Sequence, residues 1–273
     1  MSSSDSALVT NNSLTPNGLG TNGLGTNGLG TNGLGTNGLS TASFASWFDS
    51  NPAALSDMVM RYLVRCAVPA SESRTWTHPS TGVHYTWTGE LGLTPNWASG
   101  QVASEREEQL ITACLAAHVN KFGVSMQISV VGRDAPSNVL HMDTGEATTY
   151  SQQEATFYGN LFRNEGIFVC KDPHLKLSSA QSTLRACSLE SPNSSCSPIT
   201  ITGTCGGGTG CIPDSTKGFY ASCTYNKKTY PALSTRIRPQ DIYKCGDGIC
   251  QISESCGTGK SAISCLADCG PCP

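Results

Sequence analysis

The chain has 273 residues, 14% of them charged, with 17 Lys and Arg against 20 Asp and Glu for a net charge of −3. At ~100–200 residues per domain this length allows one or two domains and a sizeable core. The near-neutral balance excludes the clustered basic charge that non-specific nucleic-acid or membrane-surface binding requires. No run approaches the ~18 apolar residues of a spanning helix, so a soluble chain without a transmembrane segment is expected.

Residues 9–44 repeat every fifth position: Val9, Leu14, Leu19, Leu24, Leu29, Leu34, Leu39 and Phe44. Between residues 17 and 41 the unit is Asn-Gly-Leu-Gly-Thr, with one Ser replacement. A step of five turns about 140° on a helix and makes no stripe. Five is also odd, so successive leucines on a strand would swap faces. A Gly-rich spacer or a short β-solenoid remains, and ordering so many Gly-rich residues outweighs eight buried apolar side chains unless the segment docks on something. The stretch partly resembles the pentapeptide-repeat family, whose quadrilateral β-helix centres a Leu or Phe in each unit. Here Gly, not Asn or Asp, precedes the Leu.

Asn51-Pro52 opens a helix whose apolar face carries Leu55, Val59, Tyr62, Leu63 and Cys66. A hairpin follows, turning at His78–Gly82, with Val83 to Trp87 extended. Its aromatics Trp76, Tyr85 and Trp87, with Trp97 beyond, form either a platform for sugar rings or the core between two helices. Ser104-Glu-Arg-Glu107 is a capping box that opens a second helix through Cys114 and Val119, closed by Gly123. Alternation from Val124 to Val130 predicts a strand. A second capping box, Ser151-Gln-Gln-Glu154, predicts a helix to about Phe162, and Ile167–Cys170 a strand. Short strands are expected at 199–201, 219–225 and 229–237.

Fourteen cysteines complete the pattern. Cys66 and Cys114 sit on the apolar faces of the two helices, where they are either bridged or two buried thiols. Cys170, Cys187, Cys196, Cys205, Cys211, Cys223, Cys245, Cys250, Cys256, Cys265, Cys269 and Cys272 crowd the C-terminal part. An even count at this density reads as disulfides in an exported protein. Only Cys269-Gly-Pro-Cys272 has zinc-knuckle spacing, and no second knuckle partners it. The start, Met1-Ser2-Ser3-Ser4-Asp5, has neither the basic nor the apolar part of a signal peptide, so the chain is either cytosolic or, as the cysteines favour, a secreted or surface protein in a mature form with an added Met, following a removed signal or a lipidated Cys.

The tail reads Cys245-Gly-Asp-Gly-x-Cys250, Glu254 before Cys256, then Cys265-x-x-Asp268-Cys269-Gly270. It resembles the short cysteine-rich disulfide repeats of exported myxobacterial proteins, and with the upstream repeat the whole chain resembles exported proteins of those bacteria. The resemblance implies export and surface display rather than catalysis. From the residues alone, Asp247, Glu254 and Asp268 are hard oxygen ligands suited to calcium, or else solvated turn residues. No other cofactor is expected.

The expected fold is therefore α+β and disulfide-rich, with about three helices and short antiparallel strands. The expected divisions are a repeat spacer at 1–45, a core at 46–170, a cysteine-stapled β subdomain at 171–243 and a cysteine-rich knot at 245–273. The expected function is structural, attachment or ligand binding, with envelope or matrix components, glycans among them, as partners. Two rivals stand. One is a secreted hydrolase using His141, Asp143 and Glu146, which lacks any further catalytic motif. The other is self-association through the repeats.

Overall fold

The computed structural model describes residues 9–12, 14, 29–140, 142–185, 197–214 and 218–273. His141, Cys187, Cys196 and residues 13 and 15–28 of the repeat, with Leu19 and Leu24, lie outside them. The chain is α+β. Six strands form the main sheet: β1 (Val9–Asn12), β4 (Met126–Gly132), β5 (Gln152–Asn160), β6 (Gly166–Lys171), β8 (Ile199–Thr204) and β12 (Leu233–Ile237). Their order is β1-β4-β12-β5-β6-β8, and only the β6–β8 pair is parallel.

One face of the sheet receives the helix Glu105–Ala117. Ser104 caps it with the reciprocal bonds to Glu107, and three acids in its first turn favour the positive end of the helix dipole. Against it lies the longest helix, Ala53–Ala67, and Cys66–Cys114 joins the two across a Cα separation of 6.1 Å. Alternation along β5 and β6 divides the two sides of the sheet. Ala155, Phe157, Ile167 and Val169 face the helices. Tyr158, Phe168 and Cys170 face a second, smaller core with Tyr230, closed by Cys170–Cys205 and Cys211–Cys223. Asn226 and Lys227, at φ 48° and 68°, make the two-residue turn that joins β10 (Tyr220–Tyr225) to β11 (Lys228–Pro231) beside this core.

Several expectations are corrected. Eight helices rather than about three occur among the described residues, although most span a turn or two. The helix expected from Ser151 is β5. The capping-box pattern is local, whereas Glu154 is buried and takes Nε of Arg185 at 3.1 Å and Oγ1 of Thr235 at 2.7 Å. A division at 170/171 does not separate two cores, because β12 sits between β4 and β5.

The repeat, where described, is neither spacer nor solenoid. Leu29–Asn32, Thr36–Leu39 and Ala42–Asp49 are helical, and Leu29, Leu34, Leu39 and Phe44 are buried in the main core. Backbone bonds seat the segment: Leu34 N donates to Trp97 O and Ala103 N to Gly30 O. Arg74 clamps it, with Nε on Leu34 O and Nη2 on Ala98 O. The second residue of the two units that start at Asn32 and Asn37 must be small. A Cβ on Gly33, at φ +72°, would stand 2.2 Å from Gly100 C, and one on Gly38 1.9 Å from Gly33 O.

The tail is stapled by Cys245–Cys265, Cys250–Cys269 and Cys256–Cys272. It docks on the body: Cys245 N donates to Ala180 O, Ala262 N to Ser179 O, and β13 (Tyr243–Lys244) pairs with β7 (Gln181–Ser182). No helix among the described residues is long and apolar enough to cross a membrane.

Candidate functional site

The hairpin β2 (Ser73–Thr77) and β3 (His84–Thr88) pairs Trp76 with Tyr85 and Arg74 with Trp87, so alternate residues share one face. That face lies on the helices. Trp87, 1% exposed, donates Nε1 to Asp57 at 2.8 Å. Trp97, fully buried, donates to Leu29 O and meets Phe162 edge-on. These two belong to the core, as does Trp76, 7% exposed, while Tyr85 is half-buried against it. Trp76 stacks on Tyr85 and packs on Phe44 and Phe48, with ring centroids 4.9 and 4.8 Å away. His78 closes the cluster, donating Nε2–H to Asp49 at 2.7 Å while its Nδ1 accepts from Ser80 N.

Where this hairpin meets the end of the repeat, a half-open groove of about 590 Å³ remains. Thr36, Leu39, Ser40, Thr41, Ala42 and Ala45 form one wall, and Thr75, Trp76, Thr77 and Pro79 the other. No ionisable side chain lines it. The hydroxyls of Thr36 and Thr75 are exposed and make no hydrogen bond within the described residues, whereas Thr41 caps the following helix through Phe44 N. An apolar floor with hydroxyls along its edge suits a neutral, hydroxyl-rich ligand whose CH faces are apolar.

Of the residues of the hydrolase reading, His141 lies outside the described residues. Asp143 is the N-cap of the helix Thr144–Thr149, accepting from Glu146 N at 2.7 Å. Glu146 is buried.

A second, smaller hollow of about 170 Å³ was not signalled by any motif. It lies beyond β6, lined by Gln153, Asp172, His174, Phe219 and Tyr220 among others. Burial pushes the Asp172 carboxyl above its usual range although its Oδ1 accepts His174 N. The one sequence trace is Asp172-Pro173-His174, a polar run directly after a buried strand.

The tail acids are placed unequally. Asp268 accepts the backbone N–H groups of Gly246, Asp247 and Gly248, which hold its carboxyl below the usual range. Asp247 accepts from Ile249 N and from the Gln251 amide. Glu254 is buried, and desolvation, with Asp268 and Asp247 nearby, pushes its carboxyl up. Sets of three metal-type side chains within 4.8 Å of one another, among the described residues, are Cys66/Cys114/His118, Cys170/Cys211/Cys223 and Cys245/Cys265/Asp268. Their cysteines are committed to disulfides, and the three tail carboxylates do not form such a set. Compared with known protein families, with curated proteins and with solved structures, the chain matches none.

Proposed function

We propose that this chain is an exported, disulfide-stapled bacterial surface or matrix protein with a non-catalytic attachment or ligand-binding task, and that its groove beside Trp76 takes a neutral glycan. The observation that carries the ligand reading is the groove's lining: hydroxyls and apolar side chains, with no ionisable group to attract or reject charge. Export is supported by the state of the cysteines. All twelve described ones are paired, an arrangement suited to oxidising compartments. The rival in which repeats stack between chains has less to draw on, because Leu29, Leu34 and Leu39 are already buried in their own chain. Of the hydrolase rival's three residues, His141, Asp143 and Glu146, Asp143 has its carboxylate engaged as a helix cap.

Affinity electrophoresis in neutral and in uronic-acid polysaccharides tests the ligand reading. Retardation by a neutral polysaccharide, reduced at least about tenfold in affinity by Thr75→Glu through a desolvated charge facing the ligand, is expected. No retardation by any neutral polysaccharide, or retardation untouched by Thr75→Glu, sinks it. Alkylation of the native-source protein without reduction tests export separately: labelled thiols at the described cysteines would place the chain in a reducing compartment.

A further inference from the structure

Asp172-Pro173 is the one Asp-Pro peptide bond in the sequence. An Asp side chain can reach the carbonyl carbon of its own residue by closing a five-membered ring, an intramolecular attack with a high effective concentration. The nitrogen it would displace here belongs to a tertiary amide, which leaves once it takes up a proton. In an ordinary surface turn such a bond lasts. The carboxylate there is ionised at neutral pH, so it has no proton to give, and its side chain rotates freely.

The surroundings of Asp172 differ on each count. It opens the turn Asp172–Leu175 beside the small hollow beyond β6, with Pro173 in the second position that its fixed φ favours. Two N–H groups of the turn grip the residue. His174 N donates to Oδ1 at 2.8 Å and fixes the side chain, while Leu175 N donates to the Asp172 carbonyl oxygen at 3.1 Å, where negative charge would develop during attack. Asp172 N is tied in turn to Glu154 O at 2.9 Å. The residue is 7% exposed and lines the hollow, yet Oδ2 makes no hydrogen bond within the described residues and is not shut off from solvent. Pro173 and His174 are exposed, so water reaches the bond. The groups acting electrostatically on this carboxyl are His174, Arg236 from β12 and the Tyr220 phenol from β10. Burial outweighs the two cations and keeps the carboxyl protonated to a higher pH than an ordinary Asp.

We propose that the chain cuts itself once, between Asp172 and Pro173, with the Asp172 carboxyl as both nucleophile and acid. Oδ2 adds to the Asp172 carbonyl carbon, its proton passes to the Pro173 nitrogen, and the C–N bond breaks. This leaves a cyclic anhydride on Asp172 and a free prolyl amine at Pro173. Water then opens the anhydride, so Asp172 ends the first piece with two carboxyls, and one water is consumed in all. Cys170–Cys205 crosses the cut and β6 stays paired with β8, so the two pieces remain joined until that bridge is reduced. The reaction happens once, on the chain itself, and leaves the non-catalytic role of the assembled protein as it stands. Because the protonated carboxyl is the reactive form, cutting accelerates as the pH falls.

Intact-mass spectrometry of the full disulfide-bonded chain, incubated with protease inhibitors in neutral and in mildly acidic buffer, tests this. The oxidised chain should gain the mass of one water, faster in the acidic buffer. Reduction should then release one piece ending at Asp172 and one starting at Pro173. Asp172→Asn keeps the acceptor for His174 N but has no carboxyl, and Pro173→Ala restores an N–H amide; each should slow the cut at least about tenfold. Both variants are checked for intact disulfides by alkylation and mass. The wild-type chain, reduced and unfolded in urea at the same pH, should also be cut at least about tenfold more slowly, since the turn no longer holds the carboxyl. A folded wild-type chain that stays whole overturns the proposal. So does a cut that Asp172→Asn leaves unchanged, which marks a contaminating protease. Cutting in urea as fast as in the folded chain overturns it too, because the bond would then show only ordinary acid lability.

Discussion

His118 ends the capped helix with no solvent contact, its Nδ1 at 2.8 Å from Cys114 O and its ring 5.3 Å from that of Tyr62. Burial, with Arg65 and Arg185 adding to it, pushes its pKa down to about 3 from an ordinary 6.5. A depressed histidine binds fewer protons folded than unfolded, so its stabilisation is present above pH 6.5 and is lost as the pH falls toward 3. Chemical denaturation should show the chain losing about 2 kcal/mol through this group between pH 7 and pH 5. His118→Leu should remove that part of the pH dependence; an unchanged slope would mean the ring is not buried neutral. Asp172 and Glu254, pushed up by burial, act in the opposite direction and gain stability as the pH falls. Arg185 is a second buried charge with a heavy local role. It bonds Glu154, and its Nη1 donates to Ala117 O and Val119 O at the end of the same helix. Arg185→Met should cost about 3–5 kcal/mol in urea denaturation, because Glu154 would keep its charge in the core without its ionic partner. A loss below 1 kcal/mol would contradict the buried Arg185–Glu154 pair. No motif signals the Arg185–Glu154 pair; across 31 positions of sequence it is created by the fold.

At the scale of elements, the two glycine positions of the repeat, sampled at Gly33 in one unit and Gly30 in the unit before it, should behave differently. Gly33→Ala forces a positive φ on a side chain and drives Cβ into the Gly100 backbone, so it should cost well over ~1 kcal/mol. Gly30→Ala meets only Phe162 Cδ1 at 3.6 Å inside a helical turn and should be neutral or stabilising by up to ~1 kcal/mol. Equal shifts in urea midpoint for the two would contradict the docked conformation. The long helices and the hairpin were legible in the sequence because their signals agree: period, cap and turn residues point the same way at Ser104–Ala117 and at His78–Gly82. The stretch from Ser151 was misread because β5 is buried on both faces and shows no alternation, leaving a local capping pattern as the visible signal. The repeat was legible as a period and not as a shape, since five matches neither regular element and its form comes from Trp97, Arg74 and Gly100. In the tail, the acids were visible but their hydrogen bonds were not.

For the whole molecule, Cys66–Cys114 closes a span of 48 residues and holds the two long helices together, while the remaining described bridges lie on the far face of the sheet and in the tail. Replacing both cysteines by Ala should cost about 2–4 kcal/mol in global stability, read by urea denaturation. The repeat gives a less ordinary expectation. Removing any one Asn-Gly-Leu-Gly-Thr unit yields the same sequence whichever unit is removed, so the docked sites at 29–39 stay filled. Only the stretch between Leu14, held by Asn120 N on its carbonyl, and Leu29 becomes shorter. Stability should then change by no more than about 1 kcal/mol, since loop closure depends weakly on length. The DNA that encodes identical units is itself a tandem array, the kind of template on which a polymerase gains or drops whole copies. A protein that seats its last units in the core keeps those sites filled whichever copy is lost, and so turns such copying slips into heritable variants of different length that still fold.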